Sequence, residues 1–293
     1  MKTITYRTAV VPIVVACWLA AGCSKHPLTE EISLEDAAKM YISESTVGSS
    51  IYGEKIIGTD TLKAYAPRVS PDSIKWIAHW DFHDHYYPAI TFDTTTDRGV
   101  SGLRAADMAI WDTAIVTISM IADADSVIQK SNRTVAKTAA LLVQLGVYGD
   151  LYHGWILRKA AYRSFDGPGG ISPAFVYVHF NWKGNVWSPS DDLFSIDDVI
   201  YLSPGDTLTV RVATIDTTNV VFLNTNDSGT PVRRQMVYNP AQHEFVSGWR
   251  VSANAVSRFY YQAFVEAYSQ VTLTSPDSAQ VGATGQNFVY RIE

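Results

Sequence analysis

The sequence predicts an α+β domain followed by an all-β sandwich, on three observations. A single amphipathic helical run, "ISLEDAAKMYISEST", stands at the start of the body. Long alternating runs follow it to residue 165, and short β-rich runs separated by close turn signals fill residues 174–293. Between the two textures, "DGPGGISP" (166–173) holds two prolines and three glycines in eight residues and reads as a linker. The chain has 293 residues, 47% hydrophobic and 18% charged. At roughly 100–200 residues per domain that length suits about two domains.

Taken in order, the first element is a helix. Ser33 suits its N-cap, Asp36 stands three places on to reach back, and Ile32 can staple onto Ala37. Leu34, Ala37, Ala38, Met40 and Tyr41 share one face, and "VGSS" is expected to end the helix near Thr46. Residues 74–93 read as a long strand interrupted near Pro88, which has no N–H for a ladder. In "TAIVTISMIA", Val116, Ile118 and Met120 alternate with Thr117 and Ser119. "GWILRKAAYRSF" reads as a further strand. The run 133–148, "RTVAKTAALLVQLGVY", carries good helix formers, yet Val135, Leu141, Val143 and Val147 fall at even spacing. Strand is the preferred reading, because "GDLYHG" then joins antiparallel neighbours.

Beyond the linker, "PAFVYVHFNW", "DTLTVRVATI", "NVVFLNT", "VRRQMVYN", "FVSGWRVSA" and "RFYYQAFVEAY" are separated by "SPGD", "NTNDSGTP" and "NPAQ". Leu208, Val210 and Val212 are expected to face the core, with Thr209 and Arg211 opposite. One helix followed by long strands over residues 31–165 resembles the cystatin-like and nuclear-transport-factor-like folds. That resemblance implies a helix across a curved antiparallel sheet. The strand texture of 174–293 is similar to immunoglobulin-like modules and implies two packed sheets.

The first 22 residues point to an address. "MKTITYR" is a positive leader, and "TAVVPIVVACWLAAG" is an apolar stretch of about fifteen residues, short of the roughly twenty that span a bilayer. The stretch ends in "LAAGC", small residues before Cys23. This resembles the lipobox of bacterial lipoproteins, with Ala20 in the place where leucine is usual. The resemblance implies cleavage after residue 22, acylation of Cys23, and a tether over residues 23–30 that holds the body at a membrane through lipid. Ser24 after the cysteine implies the outer membrane of a bacterial envelope and leaves the leaflet open. Cys17 would leave with the leader, so the body would contain no thiol for a disulfide or a nucleophile. Lys2 and Arg7 would leave too, taking the formal charge from -6 to -8. An acidic body repels polyanions, which excludes nucleic acid as an expected partner. The expected partners are the membrane, through the N-terminal lipid, and an envelope protein or glycan.

Candidate chemistry concentrates in "HWDFHDHYYP" (79–88). On a strand His79, Asp81, His83 and His85 point one way, with Trp80, Phe82, Asp84 and Tyr86 opposite. Same-face Cα atoms lie roughly 6.5–7 Å apart, and two imidazoles at that distance can converge on zinc with Zn–N near ~2.0–2.1 Å. Asp81, or a group distant in the sequence, would complete a site with His83 and His85. The same pattern also suits the wet face of a half-buried strand, and both readings stand at this point. Trp182 and Trp187, in "HFNWKGNVWSP", are candidates for stacking on a sugar or anchoring a partner, and equally for sandwich core. "NTNDSGT" has the opening spacing of a calcium loop, but Gln235 stands where its acidic twelfth residue belongs, so a hairpin turn is expected. No G-x-S-x-G, G-x-x-x-x-G-K-[ST] or H-E-x-x-H pattern occurs, so no catalytic residue and no cofactor is assigned. The expected role is a non-enzymatic binding or envelope-assembly component. The alternative is a pocket-bearing enzyme or small-ligand or metal binder built on the His79–His85 cluster.

Overall fold

The computed structural model describes residues 32–52, 75–83, 89–93, 103–123, 126–147, 149–167, 172–189, 192–227, 232–255, 260–274 and 281–293. Glu35–Glu293 form one compact unit. The architecture is mostly β, in largely antiparallel sheets with few helices.

Helix α1 (Leu34–Glu44) buries Ala37, Ala38, Tyr41 and Ile42. Glu35 and Lys39 pair one turn apart on its exposed side at 2.8 Å. "VGSS" does not end the helical region, contrary to the sequence expectation. A second helix, α2 (Thr46–Tyr52), starts there, because Ser45 acts as its cap: the Ser45 Oγ accepts the Gly48 N–H at 2.9 Å. Gly48 fits the sharp joint because a Cβ there would lie 2.5 Å from the carbonyl oxygens of Tyr41 and Ile42.

Strands β1 (Lys75–His83) and β2 (Ala89–Asp93) both pair with β3 (Arg104–Asp123), which forms a hairpin with β4 (Ser126–Gln144). Thus 133–144 is strand. At about 3.3 Å per residue the hairpin extends roughly 60 Å. Thr134, Ala136, Thr138, Ala140 and Leu142 are buried on one face of β4; near its end Leu141 and Val143 are buried on the other, against Ala105, Ile156 and Leu193. Burial on both faces is why this run lacks a clean alternation.

"GWILRKAAYRSF" is two strands, β5 (Trp155–Ala160) and β6 (Ser164–Asp166). The break is local: Ala161 N–H donates to the Ala139 carbonyl, and Thr138 Oγ1 donates to the Ala161 carbonyl. Asp166, the first residue of the expected linker, still lies in the sheet, opposite both Val135 and Thr284.

The remaining strands are β7 (Phe175–Trp182), β8 (Asn185–Trp187), β9 (Phe194–Ser195), β10 (Ile200–Leu202), β11 (Thr207–Thr214), β12 (Val220–Thr225), β13 (Val232–Gln235), β14 (Val237–Asn239), β15 (Glu244–Arg250), β16 (Tyr260–Tyr268) and β17 (Ala283–Ile292). A short helix, α3 (Gln270–Thr274), precedes β17. Among the described residues one sheet has twelve strands, ordered β1-β3-β4-β6-β17-β16-β12-β13, with β2, β5, β9 and β10 attached to its members; β10 pairs with β17 in parallel. The other has five, ordered β14-β15-β11-β7-β8.

The two sheets pack face to face. Phe180 of β7 stacks on Phe288 of β17 at 3.9 Å between ring centres, and Trp249 of β15 meets Tyr290 of β17 edge-on at 4.8 Å. Leu208, Val210 and Val212 of β11 are fully buried, as their alternation requires, and Thr209 and Arg211 are half-exposed. Helix α2 packs on the other face of the large sheet. Gln262 of β16 donates to the Ser50 carbonyl at 2.6 Å, and the buried Arg163 guanidinium lies 5.6 Å from the Tyr52 ring and donates to the Tyr52 carbonyl. Tyr162 and Arg163 therefore divide the layers: Tyr162 stacks on Phe288 toward the small sheet, and Arg163 faces the helix.

Candidate functional site

The two tryptophans come together on the β7–β8 hairpin. Its turn, Lys183-Gly184, has φ of 50° and 82°, a left-handed pair for which glycine at the second position is well suited. Phe180 stands opposite Trp187 and Trp182 opposite Asn185, so both indoles continue the inner face to which Phe180 belongs. Their ring centres are 6.0 Å apart, and both are half-buried, at the β8 edge of the small sheet. Lys183 lies 4.1 Å from the Trp182 ring and 3.4 Å from the Asp206 carboxylate. Burial pushes Asp206 upward, but the Ser203 N–H and the Lys183 ammonium outweigh it and hold the carboxyl below its ordinary value.

Backbone positions of the histidine cluster are partly given. His79, Asp81 and His83 lie on β1, opposite Thr117, Ile115 and Thr113 of β3. His85 and Cys23 lie outside the described residues. Among the described residues no group of three or more histidines, cysteines and carboxylates is placed to hold a metal ion. No helix among them is long and apolar enough to cross a membrane.

Three further features were missed in the sequence, since each joins residues from separate runs. The first is a polar ladder on the outer face of the small sheet. Glu244 of β15 accepts from the Tyr177 hydroxyl at 2.8 Å and pairs with Arg211, which also donates to Gln242 at 2.9 Å. Tyr177 stacks on His179 at 4.2 Å. Burial, reinforced by the hydrogen bond to Glu244, raises the Tyr177 pKa.

The second is a buried ionic cluster at the β12–β13–β16 end of the large sheet. Arg233 Nε lies 2.6 Å from Glu266 Oε1, the two side chains being 1% and 0% exposed. Glu266 also accepts from the Tyr268 hydroxyl at 2.6 Å and from Asn224 Nδ2 at 2.9 Å. The guanidinium lies 4.7 Å from the Phe222 ring. Burial opposes the charge on Arg233, but the Glu266 carboxylate outweighs it and the pKa is raised. Each carboxylate oxygen is engaged, so the cluster is built to hold three strands together.

The third is a cavity of about 380 Å³ at the edge of the sandwich where β13 passes into β14. Asn219, Val220 and Val221 form one wall, Gln235, Met236, Val237 and Tyr238 another, and Phe245 of β15 also lines it. It exists because the chain changes sheets at Met236: β13 ends the large sheet and β14 ends the small one. Met236 N–H donates to the Val221 carbonyl at 2.8 Å and fixes the crossing. Its volume is at the lower end of the range for ligand pockets, roughly 300–1,000 Å³.

No family model, curated protein or solved structure matches the chain.

Proposed function

We propose that this protein is a lipid-anchored bacterial envelope lipoprotein, tethered through Cys23, whose β-rich body acts without catalysis as a binding or assembly component. The observation that carries the reading is "LAAGC" at the end of a short apolar leader with a positive start. A chain cut there presents a sulfur that can carry lipid and leaves a body without another cysteine. Ser24 favours the outer membrane as the destination. The body's contribution is a rigid scaffold. Its charged groups at the β12–β13–β16 end are engaged in a strand-joining network, and the sandwich carries a cavity and a half-buried tryptophan pair at its edges. Surfaces of that kind suit recognition of an envelope protein or glycan. On the same reading, a helix-on-sheet α+β part (31–165) and an immunoglobulin-like sandwich part (174–293) share the large sheet, joined through β6.

Metabolic labelling of cells with a radioactive fatty acid tests the anchor. Label is expected on the wild-type protein and not on Cys23→Ala. Mass spectrometry of the mature chain is expected to find an acylated Cys23 as its first residue. A different first residue, or one without acyl chains, removes the proposed address.

A further inference from the structure

We infer that the cavity between the β12 and β13–β14 walls is a binding site for an uncharged, largely apolar small molecule bearing a carbonyl oxygen. Its lining sets the chemistry. Val220, Val221, Met236, Val237 and Phe245 supply apolar surface, and among the described residues no carboxylate, ammonium or guanidinium lines it. A charged ligand would be buried there without a counter-charge, which is strongly unfavourable. The Tyr238 hydroxyl is taken up by His243 Nδ1 at 3.2 Å.

Gln235, also in the lining, is exposed to solvent, which leaves one buried polar side chain to be satisfied. Asn219 is 5% exposed, lines the cavity, and its Nδ2 has no hydrogen-bond partner. Buried amide donors are almost always paired, so an unpaired one in a cavity wall calls for an acceptor from outside the chain. The donor is also held in place beforehand. Asp216 Oδ1 accepts the Thr218 N–H and hydroxyl, both at 2.8 Å, and the Asn219 N–H donates to the Asp216 carbonyl at 3.3 Å. Thr214 Oγ1 donates to the Asp216 carbonyl at 2.7 Å, tying the loop to the end of β11. An amide set on so braced a loop loses little freedom on binding. Access is through Val237, 72% exposed at the rim.

This names the ligand class for the binding role proposed above and rests on that role, though not on the anchor; acylation of Cys23 stands or falls separately. The test is titration of the full-length chain in detergent with prodan, a neutral naphthalene ketone whose emission shifts to the blue in apolar surroundings. Protein-free micelles serve as the blank. Saturable binding of one dye per chain is expected. Val237→Trp, which fills the mouth from an exposed position, should weaken it roughly tenfold or more. Asn219→Leu, which removes the donor, should weaken it about fivefold, the equivalent of one neutral hydrogen bond of about 1 kcal/mol. Thermal unfolding of both variants should occur no lower than in wild type, so lost binding cannot be blamed on lost fold. Emission no different from the blank, or equal affinity in all three proteins, overturns the site. Weakening by Val237→Trp alone overturns the carbonyl assignment.

Discussion

Replacing Glu266 by glutamine should destabilise the protein more than any comparable exchange of a surface carboxylate. The side chain is fully buried, and it meets Arg233 at 2.6 Å, the Tyr268 hydroxyl at 2.6 Å and Asn224 at 2.9 Å. Glutamine preserves the shape but removes the charge, and its amide turns a donor toward groups that are themselves donors. Arg233 is then left as a buried cation against the Phe222 and Tyr268 rings. Removing one partner of a buried pair costs about 3–5 kcal/mol, since the remaining charge keeps its desolvation penalty. For a body of this size that is a fall in melting temperature of roughly 10 °C. The double variant Glu266→Leu/Arg233→Met should recover most of the loss, because an apolar pair of similar volume has no such penalty. Urea unfolding of wild type, both single variants and the double variant, read as a double-mutant cycle, measures the coupling. A Glu266→Gln cost below about 1 kcal/mol, the value typical of an exposed pair, would refute the assignment of this cluster as a desolvated ionic joint.

Gly285→Ala should destabilise by about 1–3 kcal/mol through overpacking, because a methyl there would collide with the edge of the Phe264 ring, itself wedged edge-on against Phe165; chemical denaturation checks it, with Gly248→Ala, where an added Cβ meets nothing within 4 Å, as a comparison. Phe288→Ala should cost about 3–5 kcal/mol, since its ring lies between Phe180 and Tyr162 with no exposed surface; an unchanged melting curve would deny that these contacts join the sheets. The Asp206 carboxyl is lowered in the fold, so its stabilising contribution is present above the unfolded value and is lost as pH falls through the folded one. Stability measured against pH should therefore fall less steeply on the acid side in Asp206→Asn than in wild type. Elemental analysis of the purified chain and of His83→Ala/His85→Ala is expected to find equal, negligible zinc; zinc in wild type alone would establish the metal reading of "HWDFHDH".

Alternation carried the sequence reading furthest where one face of a strand is buried and the other is not. Leu208, Val210 and Val212 declare the inner face of β11 for that reason. Where both faces are covered, as at Leu141 to Val143, the pattern fades and helix formers compete with it. The joint at Ser45 escaped notice because "VGSS" has the composition of a stop, whereas Ser45, two residues ahead of it, caps a new helix only once the chain has turned. The split between β5 and β6 was equally illegible, since it depends on Ala161 finding the Ala139 carbonyl. Of the candidate site residues, Trp182 and Trp187 could be placed near one another by their short separation around a turn. The cavity, the outer polar ladder and the Arg233–Glu266 joint could not be.

By itself the sequence determined that the chain is rich in β-structure, where its turns fall and which face of several strands is apolar. These depend on backbone preferences and on period, both encoded within a few neighbouring residues. Tertiary structure alone decided that Arg233 meets Glu266, that Phe180 meets Phe288, and that Asn219 faces a cavity walled by Met236 and Phe245. Those meetings join residues tens to more than a hundred positions apart, and strand order is chosen by how the whole set of apolar faces can be buried at once.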